Sequence, residues 1–424
     1  MFKTFINAFK IKDIRKKILM TLLLIVVYRL GCFIPIPGVN TALLAEAVAQ
    51  YDILGFMDLL TGSSFSQFTL FAMGISPYIT ASIILQLLAI AIPALERMSK
   101  EEGGREKIER ITRYVGIGLA MVQSIGIFVG LQNSAPAGQD YVLNPGFFSY
   151  LTIGICATAG TALLMWLGER ITENGIGNGI SMIIFASIVS QVPGTVIGWF
   201  KQLFTGIMPV WAFAILLILV VALITLVVYV DQAQRRIPIQ YAKRVVGRKM
   251  YGGQTTFLPL KANANGVLPL IFAMTLIQLP GMIAQFFPGS GFYSFYEKYL
   301  GSTTVIYFVV YALLIIAFGY FYSAITFNPI EMSKNLQQNG GFITGIRPGK
   351  PTSDYLAKIS SRLTLFGSLF LAVVAILPTL ALRTLGQTSA FGATSVLIMV
   401  SVALESTDQL ESQMLMRHYK GFLN

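Results

Sequence analysis

The run VWAFAILLILVVALITLVVYV occupies residues 210–230 and contains no charged residue. A helix rises about 1.5 Å per residue, so a segment of this length spans about 30 Å, the thickness of a bilayer's hydrocarbon core. In lipid every backbone N–H and C=O must find a partner within the protein, which leaves helices or closed barrels. Barrel strands alternate apolar and polar residues, and this run does not. It reads as a membrane-spanning helix.

Nine comparable stretches flank it. They lie at approximately 18–36, 70–93, 112–132, 147–168 and 176–195 before it, and 264–287, 304–326, 363–382 and 391–408 after it. Of the 424 residues, 55% are apolar and only 12% are Asp, Glu, Lys or Arg. That charged share is about half the usual one for a soluble domain. Mean hydropathy is +0.69. A soluble domain and a disordered chain are both excluded. The expected fold is an all-α polytopic membrane protein with ten spans.

The net charge of +12 is mostly topology. Ten spans put both ends on one side. The segments on that side hold 27 of the 31 Lys and Arg, and the opposite side holds Lys201, Lys298 and Arg383. Arg29 lies inside the first span. By the positive-inside rule both termini are cytoplasmic. The basic start leads into a full-length span, so no cleavable signal peptide is expected. Five spans per half give the halves opposite orientations, which permits an inverted repeat with a site between them.

Two segments are not spans. ILGFMDLLTGSSFS at 53–66 is too short to cross and falls on the external side. It reads as an interfacial or re-entrant helix, or as a stopper inside a cavity. RRIPIQYAKRVVGRKMYGGQTTFLPLK at 235–261 has extended flanks around a basic, glycine-backed tip, the pattern of a cytoplasmic hairpin.

Much chemistry is absent. None of the 19 acidic residues lies in the middle of a span, which argues against an ion-coupled transporter. Cys32, Cys156 and the one histidine, His418, form no metal or catalytic set. Gly175-Ile-Gly-Asn-Gly179 lacks the GK[ST] of a phosphate loop and reads as a tight turn. Arg29 reads as facing neighbouring helices or snorkelling. No enzyme activity, metal or cofactor is expected.

Seven motifs resemble the SecY/Sec61-alpha family of protein-conducting channels and run in family order: IPIPG (34–38), GISPYITASIILQLL (74–88), MWLGERITENGIGNGIS (165–181), QRRIPIQYAKR (234–244), FNP (327–329), GIRPGKPT (345–352) and FGATSVLI (391–398). The one small departure is Ala393, where glycine is commoner in the family. The resemblance implies two inverted five-helix halves, 1–200 and 201–424, around a central pore in the bacterial plasma membrane. It implies outward passage of unfolded secretory proteins and lateral release of apolar segments, including signal sequences, into membrane lipid. The implied pore constriction is Ile75, Ile79, Ile180, Ile184, Ile271 and Ile398. The implied plug is the segment 53–66, with Ile53, Leu54, Phe56, Met57, Leu59, Leu60 and Phe65. Spans two and seven would line a lateral gate, where Gln86 and Gln278 are either cross-gate partners or ordinary interhelical glue. The basic loops at about 231–263 and 327–362 would dock the SecA motor ATPase and the ribosome through Lys243, Arg244 and Arg347. SecE and SecG would be the membrane partners. A solute transporter built from inverted repeats and a membrane enzyme are the competing classes. The missing mid-span carboxylates and the two large basic loops favour the channel.

Overall fold

The computed structural model describes residues 9–50, 52–101, 103–133, 140–241, 244–246, 249–251, 255–285, 290–301, 304–384 and 393–420. Lys243 lies outside them, as do the side chains of Ile53, Phe56 and Arg244.

The helices, in chain order, are α1 (Lys12–Gly31), α2 (Thr41–Gln50), α3 (Asp52–Thr61), α4 (Ser76–Ala91), α5 (Pro93–Lys100), α6 (Gly104–Asn133), α7 (Phe147–Asn174), α8 (Gly179–Phe204) and α9 (Val210–Gln232). Strands β1 (Gln234–Tyr241), β2 (Arg244–Val246), β3 (Lys249–Tyr251) and β4 (Thr255–Lys261) follow. The chain then forms α10 (Leu268–Gln285), α11 (Gly291–Leu300), α12 (Val305–Thr326), α13 (Pro329–Gln338), β5 (Gly341–Ile343), α14 (Lys350–Thr384) and α15 (Ala393–Lys420).

Among the described residues six helices are long and apolar enough to cross a membrane: α6, α7, α8, α9, α12 and α14. Helices α4 and α10 are shorter and apolar. The first and last expected spans fall on α1 and α15. The second span begins later than its hydropathy predicts, at Ser76 and not at Leu70. Residues 66–75 instead fold back as turns. Leu70 N donates to Ile34 O at 2.8 Å, and Ile36 N donates to Phe68 O at 3.0 Å. These turns close a second, separate core of Ile36, Leu44, Phe65, Phe68, Met73 and Phe128 with their neighbours.

Packing repeats along the chain. Helix α4 packs on α6, α6 on α7 and α7 on α8; likewise α10 packs on α12, α12 on α14 and α14 on α15. The two series meet where α10 packs against α4 and α6, and where α8 and α1 pack against α15.

The hairpin forms as its sequence predicts. Strands β1 and β4 pair antiparallel, with Gln234 opposite Lys261 and Ile239 opposite Thr256. Ile237 and Ile239 point inward while Arg236, Pro238 and Gln240 face out, the two-residue period of a half-buried strand. The loop between α12 and α14 adds a third strand: β5 pairs antiparallel with β1, setting Ile239 opposite Ile343. Ile237, Ile343, Leu356 and Ile359 form one buried cluster beneath this sheet. The two basic loops are therefore one folded body.

Candidate functional site

The residues between α7 and α8 show why glycines enter the central site. Gly177 has φ of +80°, in the left-handed region. A Cβ on Gly179 would lie 1.8 Å from the Gly168 carbonyl oxygen, so only glycine allows this close approach. Asn178 caps the helix: its Oδ1 accepts from Ile180 N at 3.0 Å and from Ser181 N at 3.4 Å. The GIGNG motif is thus a tight turn, and it sets Ile180 and Ile184 one turn apart on α8.

Ile75 and Ile79 enter from the start of α4, with Ile79 N donating to Ile75 O at 3.1 Å. Ile271 lies in the first turn of α10 and Ile398 in the second turn of α15. All six belong to one apolar cluster: Ile75, Ile79, Ile184 and Ile398 are buried in it, and Ile180 and Ile271 pack against it half-buried. The six, carried on four helices, thus share one extended apolar core.

A small cavity of about 10 Å³ lies beside three of them: it is lined by Ile75, Ile79 and Ile184 together with Tyr28, Leu60, Gly74 and Leu164. By the same measure that is about the room of a single water.

Leu60 belongs to α3, the helix within the segment 53–66. This segment bridges two cores. Leu59 is buried in the isoleucine cluster and Leu60 packs against it. Leu54, Met57 and Phe65 are buried in the second core. Three side chains outside the segment, those of Tyr28, Arg29 and Gln191, hold it by hydrogen bonds. Tyr28 Oη lies 3.1 Å from the Thr61 carbonyl oxygen and 2.6 Å from Ser187 Oγ. Arg29 Nη1 donates to Gly62 O at 3.2 Å. Gln191 Nε2 donates to Asp58 O at 3.0 Å, and Ser66 N donates to Asp58 Oδ1 at 2.7 Å. Burial holds the Asp58 carboxyl above the usual carboxylate range, and the Ser66 N–H opposes that shift.

Tyr28, Ser187 and Gln191 were not singled out by the sequence. They are hydroxyls and an amide inside spans, and only their shared partner, the 53–66 segment, distinguishes them.

Helices α4 and α10 adjoin, as the expected gate requires. Gln86 does not bridge them. Its Nε2 donates to Ser82 Oγ at 3.2 Å, one turn back on its own helix. Its Oε1 is buried without a partner among the described residues. Gln278 is half-buried on α10. That hydrogen bond lies within one helix.

Beside the three-stranded sheet Arg347 is exposed between two left-handed glycines, Gly345 (φ +83°) and Gly349 (φ +95°). Its backbone is fixed: Thr352 Oγ1 donates to Arg347 O at 2.9 Å, and Ser333 Oγ donates to Gly349 O at 2.7 Å. An exposed guanidinium on a fixed loop suits bidentate recognition of a carboxylate or phosphate.

Comparison with known proteins points the same way. A family model described as SecY matches residues 69–407. The chain is 46% identical over 441 residues to the protein translocase subunit SecY of Streptomyces galbus, with 100% of both chains covered. It shares its fold with a structure described as "The plug domain of the SecY protein stablizes the closed state of the translocation channel and maintains a membrane seal", at a TM-score of 0.67 and 22% identity, covering 94% of this chain and 92% of that one. It also matches "Sec61 in the Canine ribosome-channel complex from the endoplasmic reticulum", at a TM-score of 0.63 and 21% identity, with the same coverage. From the family match over most of its length and the full-length relative, this multi-pass membrane protein belongs to the SecY family.

Proposed function

We propose that this chain is the central subunit of a protein-conducting channel, carrying unfolded secretory proteins across the bacterial plasma membrane and releasing apolar segments sideways into lipid. The observation that supports this reading is the packing of all six isoleucines, from four helices, into one apolar core that Leu59 and Leu60 of the short helix α3 also join. A ring of branched apolar side chains can part around a threading polymer, and it disfavours a water column when closed. The seal matters, because each charge crossing 100 mV involves about 2.3 kcal/mol.

In this reading the halves are 1–200 and 201–424, both termini are cytoplasmic, and 53–66 is the plug. The lateral opening lies between α4 and α10. The three-stranded sheet is the docking surface for the SecA motor and the ribosome, with Arg347 its principal contact and Lys243 and Arg244 at the hairpin tip. SecE and SecG are the membrane partners, and a signal sequence engages the opening between α4 and α10. Partners supply the energy; the chain itself transports and does not catalyse.

A photo-crosslinker at Ile271, tested with a stalled secretory chain in vesicles, probes this directly. Crosslinks to the translocating chain are expected. Their absence while the motor engages the precursor would remove Ile271 from the pathway.

A further inference from the structure

Asp231 is the penultimate residue of α9, immediately before the hairpin. Both its carboxylate oxygens are used. Oδ1 accepts from Asn263 Nδ2 at 2.9 Å, and Oδ2 accepts from Ser401 Oγ. Asn263 belongs to the other side of the hairpin base, where Ala262 N donates to Ala233 O at 2.8 Å and prolongs the β1–β4 ladder. Ser401 lies on α15, three residues beyond Ile398, or about 4.5 Å along the helix axis. Asn263 and Ser401 are each only 7% exposed, and Asp231 between them is half-buried.

A second tie joins the same parts: Lys261 Nζ lies 2.8 Å from Asp408 Oδ2. Its side chains are 49% and 58% exposed, and a pair so wet contributes little. The half-buried carboxylate, held by two buried partners, is the stronger link. Asp231 thus touches, through one side chain, the root of the docking hairpin and the helix that carries a constriction residue.

We infer that Asp231 is a positioning residue that fixes α15 to the hairpin base, so that a tilt of the hairpin displaces Ile398. This rests on the channel reading above and deepens it, by naming the route from the cytoplasmic surface to the constriction. Substitution at Asp231 therefore uncouples docking from opening.

The test uses the full chain with its membrane partners in vesicles, purified SecA as the docking probe and an unfolded secretory precursor. In Asp231→Ala, SecA affinity stays within about twofold while translocation at saturating SecA falls about tenfold, the scale of lost hydrogen bonds to a charged group. Asp231→Asn retains an acceptor for Asn263 and can donate to Ser401 Oγ, and it restores translocation. A purely structural role would lower affinity and rate together. Ser401→Ala removes one bond only and reproduces the defect should Asp231→Ala fail to accumulate. Unchanged translocation in both alanine variants, or a parallel loss of affinity and rate, overturns the inference. Resting ion conductance of Ile398→Ser separates the two readings. If that variant stays sealed, the constriction assignment fails; if it leaks while Asp231→Ala translocates normally, only the role of Asp231 fails.

Discussion

Arg29 Nη1 lies 3.2 Å from the carbonyl oxygen of Gly62, just past the C-terminus of α3. A cation at a helix C-terminus complements the exposed carbonyls and the macrodipole. Gly62 has φ of +66°, and a Cβ there would meet Arg29 Nη1 at 2.7 Å and Ser187 Cα at 3.1 Å. The span-one arginine therefore holds the 53–66 helix in its seat, and this contact demands glycine.

Arg29→Ala should loosen that seat. Loss of a hydrogen bond to a charged donor costs about 1–2 kcal/mol when partly exposed, which is roughly a 5–30-fold shift in a two-state equilibrium. Gly62→Ala should act in the same direction through backbone strain and the close approach. Single-channel recording in planar bilayers would check both, with more frequent resting openings expected than in the unsubstituted chain.

The seat should also respond to external pH. Burial raises the Asp58 carboxyl above its free value. The seated state therefore binds the proton more tightly than the released state. Seating is fully favoured below the free carboxylate pKa and weakens as pH rises through the higher, seated value. Resting conductance should increase as external pH climbs across that window, and Asp58→Asn should flatten the response. A conductance that instead rises on acidification would contradict the assigned sign.

Replacing Ile184 with serine should open a wet path at the constriction. The residual space beside it is about 10 Å³, and a serine side chain both enlarges it and offers water a partner. Expected is a raised resting ion conductance with unchanged assembly, measured by co-purification of the membrane subunits.

Gly160→Ala and Gly179→Ala should impair folding and leave surface interactions alone. The added Cβ atoms would fall 1.7 Å from Leu70 O and 1.8 Å from Gly168 O, and both obstacles are backbone. Overpacking of this kind typically costs about 1–3 kcal/mol. Thermal unfolding in detergent should show a lowered midpoint in each.

Arg347→Glu should abolish motor-driven translocation without lowering thermal stability, since the side chain is exposed and its loop is fixed by Thr352 and Ser333. Restoration of transport by a compensating charge on the motor would identify the contact.

The spans were legible because long apolar runs admit only one structure in lipid, and 210–230 forms a helix throughout. The hairpin was legible from its alternation. The late start of α4 was not: residues 70–75 are as apolar as a span, but their backbone bonds go to residues 34–36 and their own turns. The pairing of β5 with β1 was hidden for a different reason, since Ile343 and Ile239 are distant in sequence and three residues carry no pattern of their own. Arg29 was noticed without its partner, because nothing local connects it to Gly62. The six isoleucines came from family resemblance alone, as an isoleucine in a membrane helix is ordinarily a packing residue.

The union of β5 with the hairpin has a mechanical consequence. A six-residue loop links the strand to α14, a 35-residue helix about 52 Å long that runs from the sheet into the bundle. Whatever grips the sheet also holds one end of a lever. A rocking of five degrees at that handle would sweep the far tip through about 4–5 Å, so a small displacement at the sheet is enlarged at the opposite end of the bundle.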